Sequence, residues 1–162
     1  MDYREFKRAA HRHLLTCQNL CSSLTSIESQ EEKYAVMDDV YYLSGYVIET
    51  LLSYAIFCSC DLKTRKQPVE SSPFYNKGFK THDFQAKIRF ATKQNCCLNG
   101  IVYIDKKHTN DEYMKRFNAW QIELRYRSLG KVSGMPTLNE STLCGYIDSL
   151  KEVEKQFFRK FL

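Results

Sequence analysis

Four side chains of this sequence, His82, Trp120, Arg125 and Tyr126, set cationic and aromatic groups around a basic helix start and a bend. His82-Asp83 follows a basic stretch containing Lys77 and Lys80 and opens an apolar-periodic segment. A helix start of that kind turns free N–H groups and the positive end of its dipole toward an anion. Glu49 poses a separate problem, because it is a lone carboxylate in the middle of a long apolar run. Buried there, it needs a cation or hydrogen-bond donors, or it takes up a proton. The guanidinium of Arg125 is the expected partner, since it pairs with a carboxylate through two parallel bonds.

Other chemistries have weaker signatures. His13, Cys17 and Cys21 recur every four residues, with His11 nearby, so one helix face would present all of them. Zinc ligands usually come from short loops or separate elements, and these positions coincide with an apolar stripe, so no metal is expected. The sequence has no glycine-rich phosphate loop and no G-x-S-x-G, and no local signature marks a cysteine–histidine nucleophile. The seven cysteines include the adjacent pair Cys96-Cys97 and the near pair Cys58 and Cys60, but no C-x-x-C. With a charged start, MDYREFKR, they read as reduced cysteines used as small hydrophobes in a cytoplasmic protein.

The elements that must position these residues are mainly helical. Gly (6) and Pro (3) are scarce, and 43% hydrophobic with 14% aromatic content is that of a globular chain. At 162 residues, 1–162 is expected to form a single domain. A net charge of +5 is compatible with an anionic partner without being a nucleic-acid footprint. Phe6, Ala10, His13, Leu14, Cys17, Leu20, Cys21 and Leu24 form one stripe of a first helix over 2–27. Ser29 and Glu32 fit a capping box for a second helix that runs to about Cys60 and is apolar nearly all round. That run is about long enough to span a bilayer, but Glu49, Ser44, Thr50 and Ser53 mark it as a core helix. Gly45 inside it points to a close approach by another helix.

Asp61 to Lys80 reads as a long loop, interrupted by Pro68, Pro73 and Gly78. Thr81 reads as the N-cap of a third helix whose core face is Phe84, Ile88 and Ala91. Ile101 to Ile104 is a short strand or a buried connection. A fourth helix starts near Thr109 and carries Tyr113, Phe117 and Trp120, and the alternation after Trp120 predicts an extended segment. Asn139 caps a last helix with Leu143, Ile147, Leu150, Val153, Phe157 and Phe161 on one stripe. The expectation is all-α, an up-and-down bundle of about five helices with a long loop after the second.

Val40 to Ala55, VYYLSGYVIETLLSYA, resembles the second helix of prokaryotic HEPN (higher eukaryotes and prokaryotes nucleotide-binding) domains, which reads like AYYLAGYAVECALKA. Thr81-His82-Asp83-Phe84 is similar to the tHDL that opens their third helix. Trp120 through Arg125-Tyr126 is similar to their W…RY segment. The likeness covers roughly Glu32 to the C-terminus and rests on three motifs in the family's order. It implies a helical bundle that often forms a homodimer and is often paired with a nucleotidyltransferase-type partner protein. It also implies nucleotide or RNA binding in a toxin–antitoxin or defence setting. Many relatives are metal-independent RNase toxins with an R-x4-6-H motif, which Arg8 to His13 and Arg4 to His11 satisfy here. Both matches fall in the first helix, whereas the family's motif lies later, and His82 is preceded by Lys77 and Lys80 rather than by a correctly spaced arginine. With that departure, the resemblance implies a non-catalytic binding module in which an aromatic ring of Tyr42, Trp120 or Tyr126 stacks on a base and Arg125 or His82 meets a phosphate; no cofactor, metal or membrane is expected. The alternatives are an RNase using Arg8, His13 and His82, and a dimeric interaction protein with no ligand.

Overall fold

Asp2 caps the first helix: its carboxylate accepts from the Arg4 N–H while the Glu5 side chain accepts from the Asp2 N–H. The computed structural model in which this is seen describes residues 2–62, 64, 66, 72–105, 111–126 and 139–161. Helix α1 spans Tyr3–Ser23 and tightens into a 3-10 turn, Leu24–Ser26. Ser29 accepts from the Glu32 N–H and starts α2, Gln30–Ser59. Helix α3 is Ser72–Gly78, α4 Phe84–Lys93 and α5 Asp111–Ala119. A second 3-10 turn, Ile122–Arg125, follows, and α6 is Glu140–Lys160 with Asn139 as its cap. The described residues contain no strand; one isolated bridge pairs Asp2 with Thr64.

The architecture is an all-α bundle organised on α2. Phe6 meets Phe57, His13 meets Tyr46, and the Cys17 thiol points at the Val40 carbonyl, so α1 runs antiparallel to α2. Helix α6 also runs against α1, since His11 reaches Glu154 and Lys7 reaches Phe158. The three share one core with Leu14, Leu51 and Ile147 among its fully covered members. Helix α4 and the 3-10 turn after Trp120 cover the remaining side of α2, and α5 leans on α6. By length and composition α2 could cross a bilayer, but 72% of its most apolar window is buried inside the bundle, as in a core helix.

Several local expectations are corrected. The segment read as a loop from Asp61 to Lys80 contains α3, in which Pro73 sits in the first turn and Gly78 at the end. Both positions are ones that helices tolerate. Asp83, not Thr81, caps α4: its carboxylate accepts from the Ala86 N–H at 3.0 Å, while Thr81 Oγ1 accepts from the Asp83 N–H. Residues 101–104 form a turn with Ile101 and Tyr103 buried, so they are a connection. The segment after Trp120 is a 3-10 turn, not an extended one. The close approach at Gly45 comes from an aromatic ring, because a Cβ there would overlap the Trp120 indole. The expected start of the fourth helix near Thr109 lies outside the described residues, as does Pro68.

Candidate functional site

Trp120 ends α5 and is held on every side. Its indole N–H donates to the Tyr42 carbonyl at 3.0 Å, and its ring stacks on Phe84 with centroids 4.8 Å apart. Tyr46 packs edge-on against it at 5.8 Å, and the absent side chain of Gly45 leaves room for the indole. The ring is 7% exposed. Its faces are used in joining α2 to α4, so it walls a cleft and does not offer an open stacking platform.

His82 sits one residue before the cap of α4, which brings it over α2. Its Nδ1 lies 2.8 Å from Glu49 Oε2, and the Glu49 side chain is 13% exposed. The other carboxylate oxygen is 3.8 Å from the ammonium of Lys87, which is fully buried and also donates to Ser53 Oγ at 2.9 Å. Glu49 is therefore matched by His82 and Lys87, which corrects the expected ion pair with Arg125. Arg125 is exposed, with its guanidinium 4.8 Å from the ring centroid of Tyr126, itself 78% exposed. Arg125 ends a 3-10 turn and Tyr126 follows it, and neither lines the cleft between residues 80–85 and 117–123.

Tyr42 shares a 2.6 Å hydrogen bond with the Tyr46 hydroxyl and stands beside this wall. Burial, then the Tyr42 hydroxyl, pushes the Tyr46 phenol well above its usual range, with Glu49 adding to the shift and Arg125 opposing it. The same fields reach His13, whose imidazole lies 5.7 Å from the Tyr46 ring. Burial and then Arg12 lower its pKa from 6.5, and Glu49 pulls the other way. The structure thus brings His13, Tyr42, Tyr46, Glu49, His82 and Trp120 into one neighbourhood. Arg8 is not in it: five residues from His13, it points roughly 140° away around α1 and lines a different groove.

Between the 80–85 segment and the 117–123 segment lies a cleft of about 440 Å³. Phe84, Phe117, Trp120 and Ile122 give it an apolar wall, and Lys80 and His82 put nitrogen donors at its mouth. Gln85 and Asn118, joined side chain to side chain at 3.3 Å, and Gln121 add amides that can donate and accept. Asp83 also lines it, but its carboxylate is taken by the α4 N-terminus. Such a lining suits a flat heteroaromatic group carrying a small anion. No group of three or more ligand-type side chains placed to hold a metal occurs among the described residues. Lys87 and the three amides went unrecognised in the sequence, and Lys80 was read only as part of a basic stretch; Lys87 had a further signal, one turn after Phe84 and one turn before Ala91.

No protein-family model, no curated protein and no solved structure matches the chain.

Proposed function

We propose that this protein is a HEPN-like, non-catalytic binding module whose 440 Å³ cleft receives a nucleotide or the phosphate and base of a nucleic acid. The observation that carries the reading is convergence. His82 before α4 and Trp120 after α5 line one cleft, and Glu49 on α2, which does not line it, holds His82 at 2.8 Å, so three distant stretches are tied together there. These are also the three stretches that resemble the HEPN motifs. Lys80 and His82 meet the phosphate, the amides of Gln85, Asn118 and Gln121 read the base edge, and Trp120 with Phe84 forms the apolar wall. Arg125 and Tyr126, exposed two and three residues beyond the cleft-lining Glu123, would contact the part of a longer ligand that extends past the cleft. Homodimer formation and a nucleotidyltransferase-type partner belong to the same proposal.

Thermal shift and calorimetry with ATP, GTP, AMP and a short oligouridylate test it. Saturating ligand is expected to raise the melting temperature by about 2–5 °C, and Lys80→Glu with Gln121→Ala to abolish the rise. No heat and no shift with any of them, alongside a tight complex with a co-expressed neighbour protein, would favour the ligand-free interaction protein.

One observation favours a second reading. His82 contacts Glu49 at 2.8 Å and His13 packs on Tyr46, one turn before Glu49 on α2, an arrangement that offers two imidazoles for proton transfer at a ribose 2′-hydroxyl. Metal-independent cleavage of RNA in EDTA, lost in His13→Ala or His82→Ala, would replace the binding module with a nuclease.

A further inference from the structure

A second groove, of about 810 Å³, runs along the outer face of α1 and shares no lining residue with the cleft. Arg4, Arg8 and Arg12 stand one above another on successive turns of α1, with Lys7 and His11 beside them. Among the described residues none of these three arginines, nor Lys7, forms an ion pair. Of the nearby carboxylates, Asp2 and Glu5 cap α1, with Asp2 also acting on the Arg4 guanidinium, and Glu154 lies 3.2 Å from the groove's own His11, while Arg4 Nε donates to the Tyr3 hydroxyl at 3.1 Å. The floor is apolar, made by Tyr3, Tyr54 and Phe158, and Leu15 closes one end with 49% of its surface exposed. So large an exposed aliphatic side chain beside unpaired cations fits a contact with another chain.

We infer that this groove docks an acidic amphipathic helix of a partner protein. A helix rises about 6 Å over four residues, so carboxylates spaced by four follow Arg4, Arg8 and Arg12, while leucine-sized side chains between them rest on Tyr3 and Leu15. Charge complementarity selects an acidic partner, and the floor selects a helix over a nucleic acid. Single strands bind through open aromatic faces. Here the Lys7 ammonium already sits 4.5 Å from the Phe158 ring centroid and 5.9 Å from that of Tyr54. A base would have to displace it, whereas a carboxylate would pair with it. This inference stands apart from the nucleotide cleft and does not depend on it.

The test uses the full chain and a fluorescein-labelled helical peptide of about 16 residues, with glutamate at every fourth position and leucine between. A scrambled peptide of the same composition and an oligouridylate of similar charge serve as rival probes in anisotropy titrations. The ordered peptide is expected to bind at least about tenfold more tightly than the scrambled one, and Arg8→Glu with Arg12→Glu to weaken it by about tenfold or more. Leu15→Ser, which keeps the charge, is expected to weaken it by about threefold or more. All three positions are exposed, and unchanged circular dichroism and melting would show that the variants fold. Equal binding of the two peptides, or no binding, would overturn the inference. Oligouridylate binding abolished by the arginine changes would give the groove to nucleic acid instead. A concentration-dependent dimer dispersed by the same changes would give it to a second copy of this chain.

Discussion

The ammonium of Lys87 has no exposed surface and is held by Ser53 Oγ at 2.9 Å, the Phe79 carbonyl at 3.4 Å and Glu49 at 3.8 Å. Truncating one member of a buried charge pair leaves the other uncompensated, which is far costlier than replacing both. Glu49→Ala is therefore expected to destabilise the protein by about 3 kcal/mol or more in urea unfolding, because it removes a largely buried carboxylate that lies 3.8 Å from the Lys87 ammonium and 2.8 Å from His82. Lys87→Met preserves volume and leaves Glu49 with His82, so it should cost less. The double variant should fall short of the summed singles by about 1 kcal/mol or more; strict additivity would mean that the two groups do not interact. His13 yields a pH dependence whose sign is fixed by its surroundings. Burial first, and Arg12 second, lower its pKa from 6.5 in the folded chain. The unfolded chain then binds the proton at higher pH than the folded one, so this contribution is present above about 6.5 and is lost as pH falls through that value to the folded pKa. Urea midpoints at about pH 7.5 and about pH 5.5 should differ more in the wild type than in His13→Gln. An identical drop in both would place the acid sensitivity elsewhere.

At the scale of elements, the contact that joins α2 to the 120s segment is made by an absent side chain. Alanine at Gly45 would ordinarily favour the helix by roughly 1 kcal/mol. Here its Cβ would overlap the Trp120 indole, which is itself fixed by Phe84, Tyr46 and the Tyr42 carbonyl. Overpacking of that kind costs about 1–3 kcal/mol, so Gly45→Ala should destabilise the chain and blue- or red-shift the fluorescence of its only tryptophan. A more stable variant with unchanged emission would show that the indole is not seated there. The stripes of α1, α2 and α6 were legible because a 3.6-residue period recurs over five or more turns, and Ser29 and Asn139 announce two starts. Shorter elements were not. Pro73 and Gly78 read as breakers although they stand at the two ends of α3. Four residues of alternating apolar and charged type after Trp120 mimic a strand, and the turn that forms instead is set by packing on α2. The candidate site was legible as three separate motifs. What joins them was not, because Lys87 reads as a solvated lysine until Glu49 and Ser53 of another helix are placed beside it.

Across the whole molecule α2 is the member that every other layer leans on: α1 and α6 on one side, α4 and the 120s turn on the other. Its residues from Leu51 to Phe57 are all buried, and Tyr54 donates its hydroxyl to the Phe161 carbonyl at the far end of α6. Backbone amides there can reach water only when several helices separate together. Helix α5 is different: it is nine residues long, it leans chiefly on α6, and its covered face is Arg116 and Phe117. Amides open either locally or with the whole fold, and the local route is available where few apolar contacts must break. Hydrogen exchange read by mass spectrometry should therefore find residues 47–57 the slowest, with a free energy equal to that of global unfolding, and residues 111–119 exchanging well before them. The binding reading adds a condition. A nucleotide seated between residues 80–85 and 117–123 would slow exchange in those two segments and would also slow 47–57, because amides that wait for global opening report the ligand's stabilisation of the folded state. Slowing of 47–57 with no added protection of the locally opening amides in 80–85 and 117–123 would instead mean that the ligand stabilises the fold from a surface other than the cleft. Protection confined to residues 3–15 would move the occupied surface from the cleft to the groove along α1.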